Sequence, residues 1–249
     1  MRAIYARCEG IFKLADQHDD GLDAKPSDRA ISLAKQVAGV LPGIGPALTE
    51  ILLDDIPGQR MDRFAEFARQ LDRRITGLEL AEAAKDPRNL DLLEEGAFQS
   101  ARALSNERLE YIAKIVADGL GDDEAARLES KRLLNLLDQI DDDQIIIMTS
   151  QLRRHWQDDF REKHANILTP PRAHMGSSRE DHDKAEVFQL ARDNLIQLGL
   201  LRPRFAQPKK DALPEFDSKT GMIKAQGFEL SPRGRLLLRR IGLAEDDEF

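Results

Sequence analysis

Along most of this chain apolar residues recur at every third or fourth position, and strict alternation is nearly absent. From Met61 onward, Met61, Phe64, Phe67, Ala68, Leu71, Ile75 and Leu78 fall on one face, while Asp62, Arg63, Glu66, Arg69, Asp72 and Arg73 fill the others. That spacing predicts an amphipathic helix with a solvated charged side. A second helix is predicted over Leu90 to Leu104. A third covers Ser105 to Leu120, where Leu109, Ile112, Ala113, Val116 and Leu120 form a stripe and Gly119 and Gly121 supply the stop. Asp122-Asp123 predicts the cap of a helix carrying Leu128, Leu133, Leu134, Leu137 and Ile140. Asp142-Asp143 predicts the cap of another, with Ile145, Met148, Leu152, Trp156 and Phe160 in line. Upstream, Ser27 opens a helix through Ile31, Leu33, Ala34, Val37 and Ala38, and Ala47 to Ile56 reads as its successor, ended by Pro57-Gly58.

After Ile167 the pattern changes. Thr169-Pro170-Pro171 breaks the helix, and His174 to Asp183 reads as a polar loop. Lys184 to Leu198 is expected to be helical, with Phe188, Ala191, Leu195 and Leu198 inward. Gly227 to Leu230 reads as a short strand returning from a long loop, and Ser231-Pro232 caps a closing helix through Leu236, Leu237 and Ile241. The expected fold is mainly α: a helical body over 1–167, a polar linker over 168–183, a winged-helix-like module with a short β-hairpin over 184–243, and an acidic tail over 244–249.

Composition narrows the class. The chain has 249 residues, 41% hydrophobic and 33% charged, with 5% aromatic, which fits a Leu- and Ala-rich globular helical protein. Cys8 is the single cysteine, so no internal disulfide forms and a reducing compartment is expected. Met1 to Asp20 has no uninterrupted apolar core of a signal peptide, and Val37 to Leu53 is short and broken by Pro42, Gly43, Gly45, Pro46 and Glu50. A cytoplasmic location is the expectation.

The net charge of −8 argues against a protein that is basic all over, but the charge is unevenly placed. Residues 1–198 carry −10. Between Gly199 and Leu243, ten basic side chains meet four acidic ones, a local +6. Arg202, Arg204, Lys209, Lys210, Lys224, Arg233 and Arg235 are the candidate contacts to nucleic-acid phosphates. The alternative is a module whose basic face is merely solvated or packs on the acidic body. The expected groove helix offers Asp183, Glu186 and Asp193 against Lys184 and Arg192, which favours that alternative.

A second candidate is the turn Leu41-Pro42-Gly43-Ile44-Gly45-Pro46. Its residues Pro42, Gly43, Gly45 and Pro46, with Arg60 beyond, are read as an interaction hairpin within 37–60. Three readings compete. It is a tight αα-turn that lets two apolar helices approach, a phosphate-holding turn of helix-hairpin-helix type, or a hairpin that enters a membrane on activation. A third candidate, His164, His174 and His182 with Glu180, Asp181 and Asp183, has no recognised metal-ligand spacing, so no metal is assigned. No Walker loop, His-Glu-x-x-His helix, Gly-x-Ser-x-Gly elbow or Cys-x-x-Cys pair occurs. No catalytic residue and no cofactor is assigned.

The run from Asn106 to Leu120 (Asn-Glu-Arg-Leu-Glu-Tyr-Ile-Ala-Lys-Ile-Val-Ala-Asp-Gly-Leu) resembles a segment of bacterial abortive-infection proteins of the Abi-alpha type. The later order is similar: a Leu-rich helix, Asp141 to Ile147, then a helix leading into Leu198-Gly199-Leu200 and a winged-helix ending. The resemblance implies a role in defence against phage and transfers no active-site residue. The expectation is a non-enzymatic interaction protein that meets a protein partner or itself, with the membrane a further possibility through 37–60. The alternative is a nucleic-acid-binding regulator using the basic module.

Overall fold

The computed structural model describes residues 60–75, 77–156, 159–169, 174, 176–206, 213–216 and 221–245. The expected helices before residue 57, the 42–46 turn, and Lys209 and Lys210 lie outside the described residues.

The helical body starts with α1 (Met61–Asp72), whose Phe64, Phe67, Ala68 and Leu71 are buried as the spacing predicts. The face does not continue as one helix. The chain turns after Asp72, Ile75 is half-buried in that turn, and α2 (Gly77–Ala83) follows with Leu80 in the core. Helix α3 (Pro87–Arg102) begins earlier than Leu90. Asp86 accepts a hydrogen bond from the Arg88 N–H at 2.9 Å, and Pro87 fixes the first helical φ. Helix α4 (Asn106–Gly119) is capped by Ser105, whose Oγ accepts from the Arg108 N–H. Leu109, Ile112, Ala113 and Val116 of its stripe are buried and Leu120 is half-buried, the helix packing against α1, α3 and the helix that follows it. An ideal Cβ on Gly96 of α3 would stand 2.6 Å from Val116 Cγ2, so that crossing is close enough to need glycine.

Helix α5 (Glu124–Asp138) buries Leu133, Leu134 and Leu137, with Asp123 as its cap. Leu128, expected in the stripe, is 47% exposed. Helix α6 (Asp142–Thr149) is capped one residue earlier than expected. Asp141 Oδ1 accepts from the Gln144 N–H at 2.7 Å while Gln144 Oε1 accepts from the Asp141 N–H at 3.0 Å, a reciprocal capping box. The helix is also shorter than its stripe. The hydroxyls of Thr149 and Ser150 donate to the carbonyls of Ile145 and Ile147, and the chain turns. Leu152 therefore lies in a turn, a 3₁₀ turn covers Arg153–Trp156, and Phe160 opens the short α7 (Phe160–Lys163), followed by α8 (Ala165–Leu168).

Helix α9 (Arg179–Gln197) reaches back into the segment expected as polar loop. Ser178 Oγ accepts from the Asp181 N–H, and Glu180 and Asp181 sit favourably in the first turn. Strands β1 (Leu201–Phe205) and β2 (Ala225–Leu230) pair antiparallel from Leu201↔Leu230 to Phe205↔Ala225, with a bulge at Arg204/Phe205. Helix α10 (Pro232–Arg240) closes the described chain, capped by Ser231 with proline at its first position, as the sequence predicts. The fold is thus mainly helical with a two-stranded hairpin before the last helix. One hydrophobic core runs from Phe64 to Ile241, joining Leu195, Leu200, Leu230, Leu237 and Leu238 to the body.

Candidate functional site

Helix α9 is seated by polar contacts at its C-terminal half. Gln144 Nε2 donates to the Ala191 carbonyl at 2.8 Å, and Asn194 Nδ2 donates to the Gln139 carbonyl at 3.1 Å. Arg233 of α10 caps its end, donating to the Leu198 carbonyl at 2.5 Å. The hairpin packs on the inward arc. The Arg192 guanidinium lies 4.3 Å from the Phe228 ring centroid and 5.9 Å from that of Phe188, a cation–π contact that ties β2 to α9. Burial there pulls the Arg192 pKa below its ordinary value.

The other half of α9 is open. Leu195 is its one fully buried residue among those described, whereas Val187 and Leu190 are 65% and 67% exposed. Three residues apart, they share a face roughly a third of a turn from the Phe188–Leu195 arc. The exposed large apolar side chains of the hairpin are Phe205, Leu213, Phe216, Met222 and Ile223; elsewhere among the described residues only Leu104 and Leu128 are comparable. Large exposed apolar side chains are therefore concentrated on α9 and the hairpin among the described residues, and such surface marks contact sites where it is grouped. The sequence held the signal. Val187 and Leu190 form a second i, i+3 pair that a single inward stripe of Phe188, Ala191, Leu195 and Leu198 does not use.

The basic residues of this unit are largely spoken for. Arg202 Nε pairs with Glu229 Oε1 at 2.7 Å across the strands, and Lys224 Nζ lies 3.7 Å from Glu215 Oε2. Arg233 is the α9 cap. Arg235 is half-buried on α10, and Arg204 is exposed on β1. Four of the candidate phosphate contacts are thus engaged internally or half-buried. Arg60, the described member of the interaction-hairpin residues, is exposed just before α1.

Among the described residues, recesses in the body include two beside the α4–α6 junction. One, of about 460 Å³, is lined by Arg102, Arg108, Asp138, Asp141, Asp142 and Asp143 among others. Its centre is structural. Arg108 donates from Nε to Asp142 Oδ1 at 2.7 Å, from Nη1 to the Leu137 carbonyl at 2.8 Å and from Nη2 to the Ile140 carbonyl at 2.6 Å. Desolvation, then the Asp141 and Asp142 charges, push the Asp143 carboxyl above the usual range. The second recess, about 330 Å³, is mostly apolar, with Tyr111, Ile145, Ile146, Phe160, His164 and Leu243 in its wall. Burial, then the Glu107, Asp142 and Glu110 charges, push the Tyr111 phenol up to about 12, so it is a neutral donor at ordinary pH.

The histidines serve local packing. His164 lies against the Phe160 ring at 4.6 Å; His174 Nδ1 accepts from the Gly176 N–H, and His182 Nε2 contacts the His174 carbonyl at 3.1 Å. Among the described residues no group of three or more His, Cys, Asp or Glu side chains is placed to hold a metal ion, and no helix is long and apolar enough to cross a membrane. The Asn106 to Leu120 run forms α4, whose Leu109, Ile112, Ala113 and Val116 are core residues. No family model, curated protein or solved structure matches the chain.

Proposed function

We propose that this chain is a non-catalytic bacterial interaction protein that docks a protein partner on the α9–hairpin unit and serves in phage defence. The observation that carries the docking reading is the concentration of exposed apolar side chains on α9 and the hairpin, next to a core that is otherwise well covered. A face of this kind loses apolar area to water unless something covers it, and association recovers that free energy. The defence assignment rests on the resemblance over Asn106 to Leu120.

The internal ion pairs of Arg202 and Lys224, and the capping role of Arg233, weigh against the nucleic-acid reading, because each engaged cation releases fewer counterions from a phosphate backbone.

The test is phage plating on cells carrying the wild-type chain or Val187→Glu with Leu190→Glu, with folding verified by far-ultraviolet circular dichroism. The wild type is expected to depress plating, and the double variant to restore it while remaining folded. Protection that survives the double variant removes the docking face from the function. Absence of protection by the wild type across a varied phage panel removes the defence assignment. Tight, salt-sensitive binding of duplex DNA by the same folded protein would return the nucleic-acid reading to first place.

A further inference from the structure

The apolar recess between α4 and α6 is a cavity that the docking face does not use. Glu107 and Tyr111 line it from α4, Ile146 and Thr149 from α6, and Phe160 and Leu243 from the later chain. Its volume of about 330 Å³ falls near the lower end of the range of small-molecule sites. Tyr111, Ile146, Phe160 and Leu243 are each half-buried, so the recess opens to solvent. Glu107 and Tyr111 stand four residues apart and share one face of α4.

The hydrogen-bonding capacity left over in this wall is mostly acceptor. Thr149 is only 4% exposed, and its hydroxyl proton goes to the Ile145 carbonyl at 2.8 Å, which leaves oxygen lone pairs unfilled. The Ser105 hydroxyl donates to Asp142 Oδ2 at 2.7 Å. Among the described residues, neither the Glu107 carboxylate nor the Tyr111 hydroxyl has a hydrogen-bond or ion-pair partner. That leaves the Tyr111 O–H and the His164 ring as the side-chain donors available to a ligand.

Positive charge is the other missing quantity. None of the lining residues is Lys or Arg. Arg108, next to Glu107 in the chain, commits its guanidinium to Asp142 and to the Leu137 and Ile140 carbonyls. The first turns of α4 and α6 already hold Glu107, Asp142 and Asp143, so the positive helix ends are answered by carboxylates. Burial, then the Glu107, Asp142 and Glu110 charges, keep the proton on Tyr111, and the same charges favour a cation beside it.

We infer that this recess binds a small organic ammonium ion with an apolar body. The body packs against Ile145, Ile146 and Leu243. The ammonium pairs with the Glu107 carboxylate beside the Tyr111 ring, whose electron-rich face attracts a cation. The site is independent of the docking reading, and either stands without the other.

The experiment is calorimetric titration of the full chain with three probes of one shape: phenethylammonium, phenethyl alcohol and phenylacetate. Phenethylammonium is expected to bind with a dissociation constant below about 1 mM, about tenfold more tightly than the alcohol, and phenylacetate most weakly. Glu107→Gln weakens the ammonium about threefold, as suits an exposed ion pair, and leaves the alcohol unchanged. Glu110→Gln, which removes a carboxylate paired with Arg74 outside the recess wall, leaves both unchanged. Ile146→Trp fills the cavity and removes binding of both, with folding verified by far-ultraviolet circular dichroism.

Absence of saturable phenethylammonium binding overturns the proposal. So does equal or tighter binding of the alcohol or of phenylacetate, since the site would then not select a cation. An ammonium affinity indifferent to Glu107→Gln, or lowered equally by Glu110→Gln, shows attraction to overall charge and overturns it. Binding that survives in a folded Ile146→Trp variant places the ligand elsewhere and overturns it as well. If that variant does not fold, the two glutamine variants decide.

Discussion

Ser231 and Gly234 show how few residues fix the entry to the last helix. Ser231 Oγ donates to the Gly199 carbonyl at 2.5 Å and accepts from the Gly234 N–H at 3.0 Å, while its own N–H donates to the Leu200 carbonyl at 3.0 Å. The α9–β1 turn is thereby sewn to the start of α10. Gly234 is required there because a Cβ would collide with the Leu200 carbonyl oxygen, a backbone atom that already holds the Ser231 hydrogen bond. The sequence showed Ser231-Pro232 as a cap. It did not show the reason for the glycine two positions on, because that reason lies in a segment some thirty residues away. Gly234→Ala gains helix propensity worth about 1 kcal/mol but incurs overpacking of roughly 1–3 kcal/mol against an atom that cannot rotate away. The expected outcome is a lower midpoint in urea unfolding, and a midpoint equal to or above wild type would contradict the collision.

Elements meet through one guanidinium at the junction of α4, α5 and α6. Arg108 projects from the first turn of α4, satisfies carbonyls at the end of α5 and pairs with Asp142 in the first turn of α6. Ser105 Oγ donates to the second Asp142 oxygen at 2.7 Å. One planar fork therefore closes the C-terminal end of α5, where cations are favoured, and fixes the direction in which α6 departs. Arg108→Ala leaves these carbonyls short of a donor. The expected loss is about 2–3 kcal/mol, kept below the value for a deeply buried pair because Asp142 is 41% exposed. Arg108→Lys recovers little of it, since an ammonium cannot reach three acceptors in one plane. Equal chemical stability of the lysine variant and wild type would show that charge alone suffices.

At this scale the sequence was legible wherever a cap and a spacing agreed. Asp123 and Ser231 cap as read, and the helices behind them bury most of the expected positions, with Leu128 the exception. It failed where tertiary contact or hydroxyl chemistry overrode periodicity. The Ile145–Phe160 stripe broke at Thr149 and Ser150, whose hydroxyls draw carbonyls out of the helix, and α9 started at the Ser178 cap rather than after the acidic run. Val187 and Leu190 were legible as an i, i+3 pair outside the inward stripe, but not as exposed. Deciding that they face outward needs to know that Phe228 and Arg192 occupy the neighbouring arc.

For the whole molecule, the question is whether the C-terminal unit unfolds with the body or before it. The ties are of both kinds. Leu195, Leu237, Leu238 and Ile241 belong to the same core as Leu109, Ile112 and Met148. Polar contacts bridge the same seam: Gln144 to Ala191, Arg154 Nη2 to the Leu243 carbonyl at 2.6 Å, and Arg240 Nε to Glu129 Oε1 at 2.8 Å. Separating the two parts would expose apolar surface on both sides and leave the Gln144 amide and the Arg154 guanidinium without these carbonyls. Each loss opposes partial unfolding, so the described fold is expected to melt as one cooperative unit. Scanning calorimetry should give a single transition with calorimetric and van 't Hoff enthalpies in agreement. The exposed N-terminal half of α9 is the exception, since its amides lack that core and should exchange with deuterium well before those of α4 and α5. Two resolved transitions, with the early one moved to lower temperature by Arg240→Ala, would mean that the seam is held by that ion pair rather than by shared apolar burial.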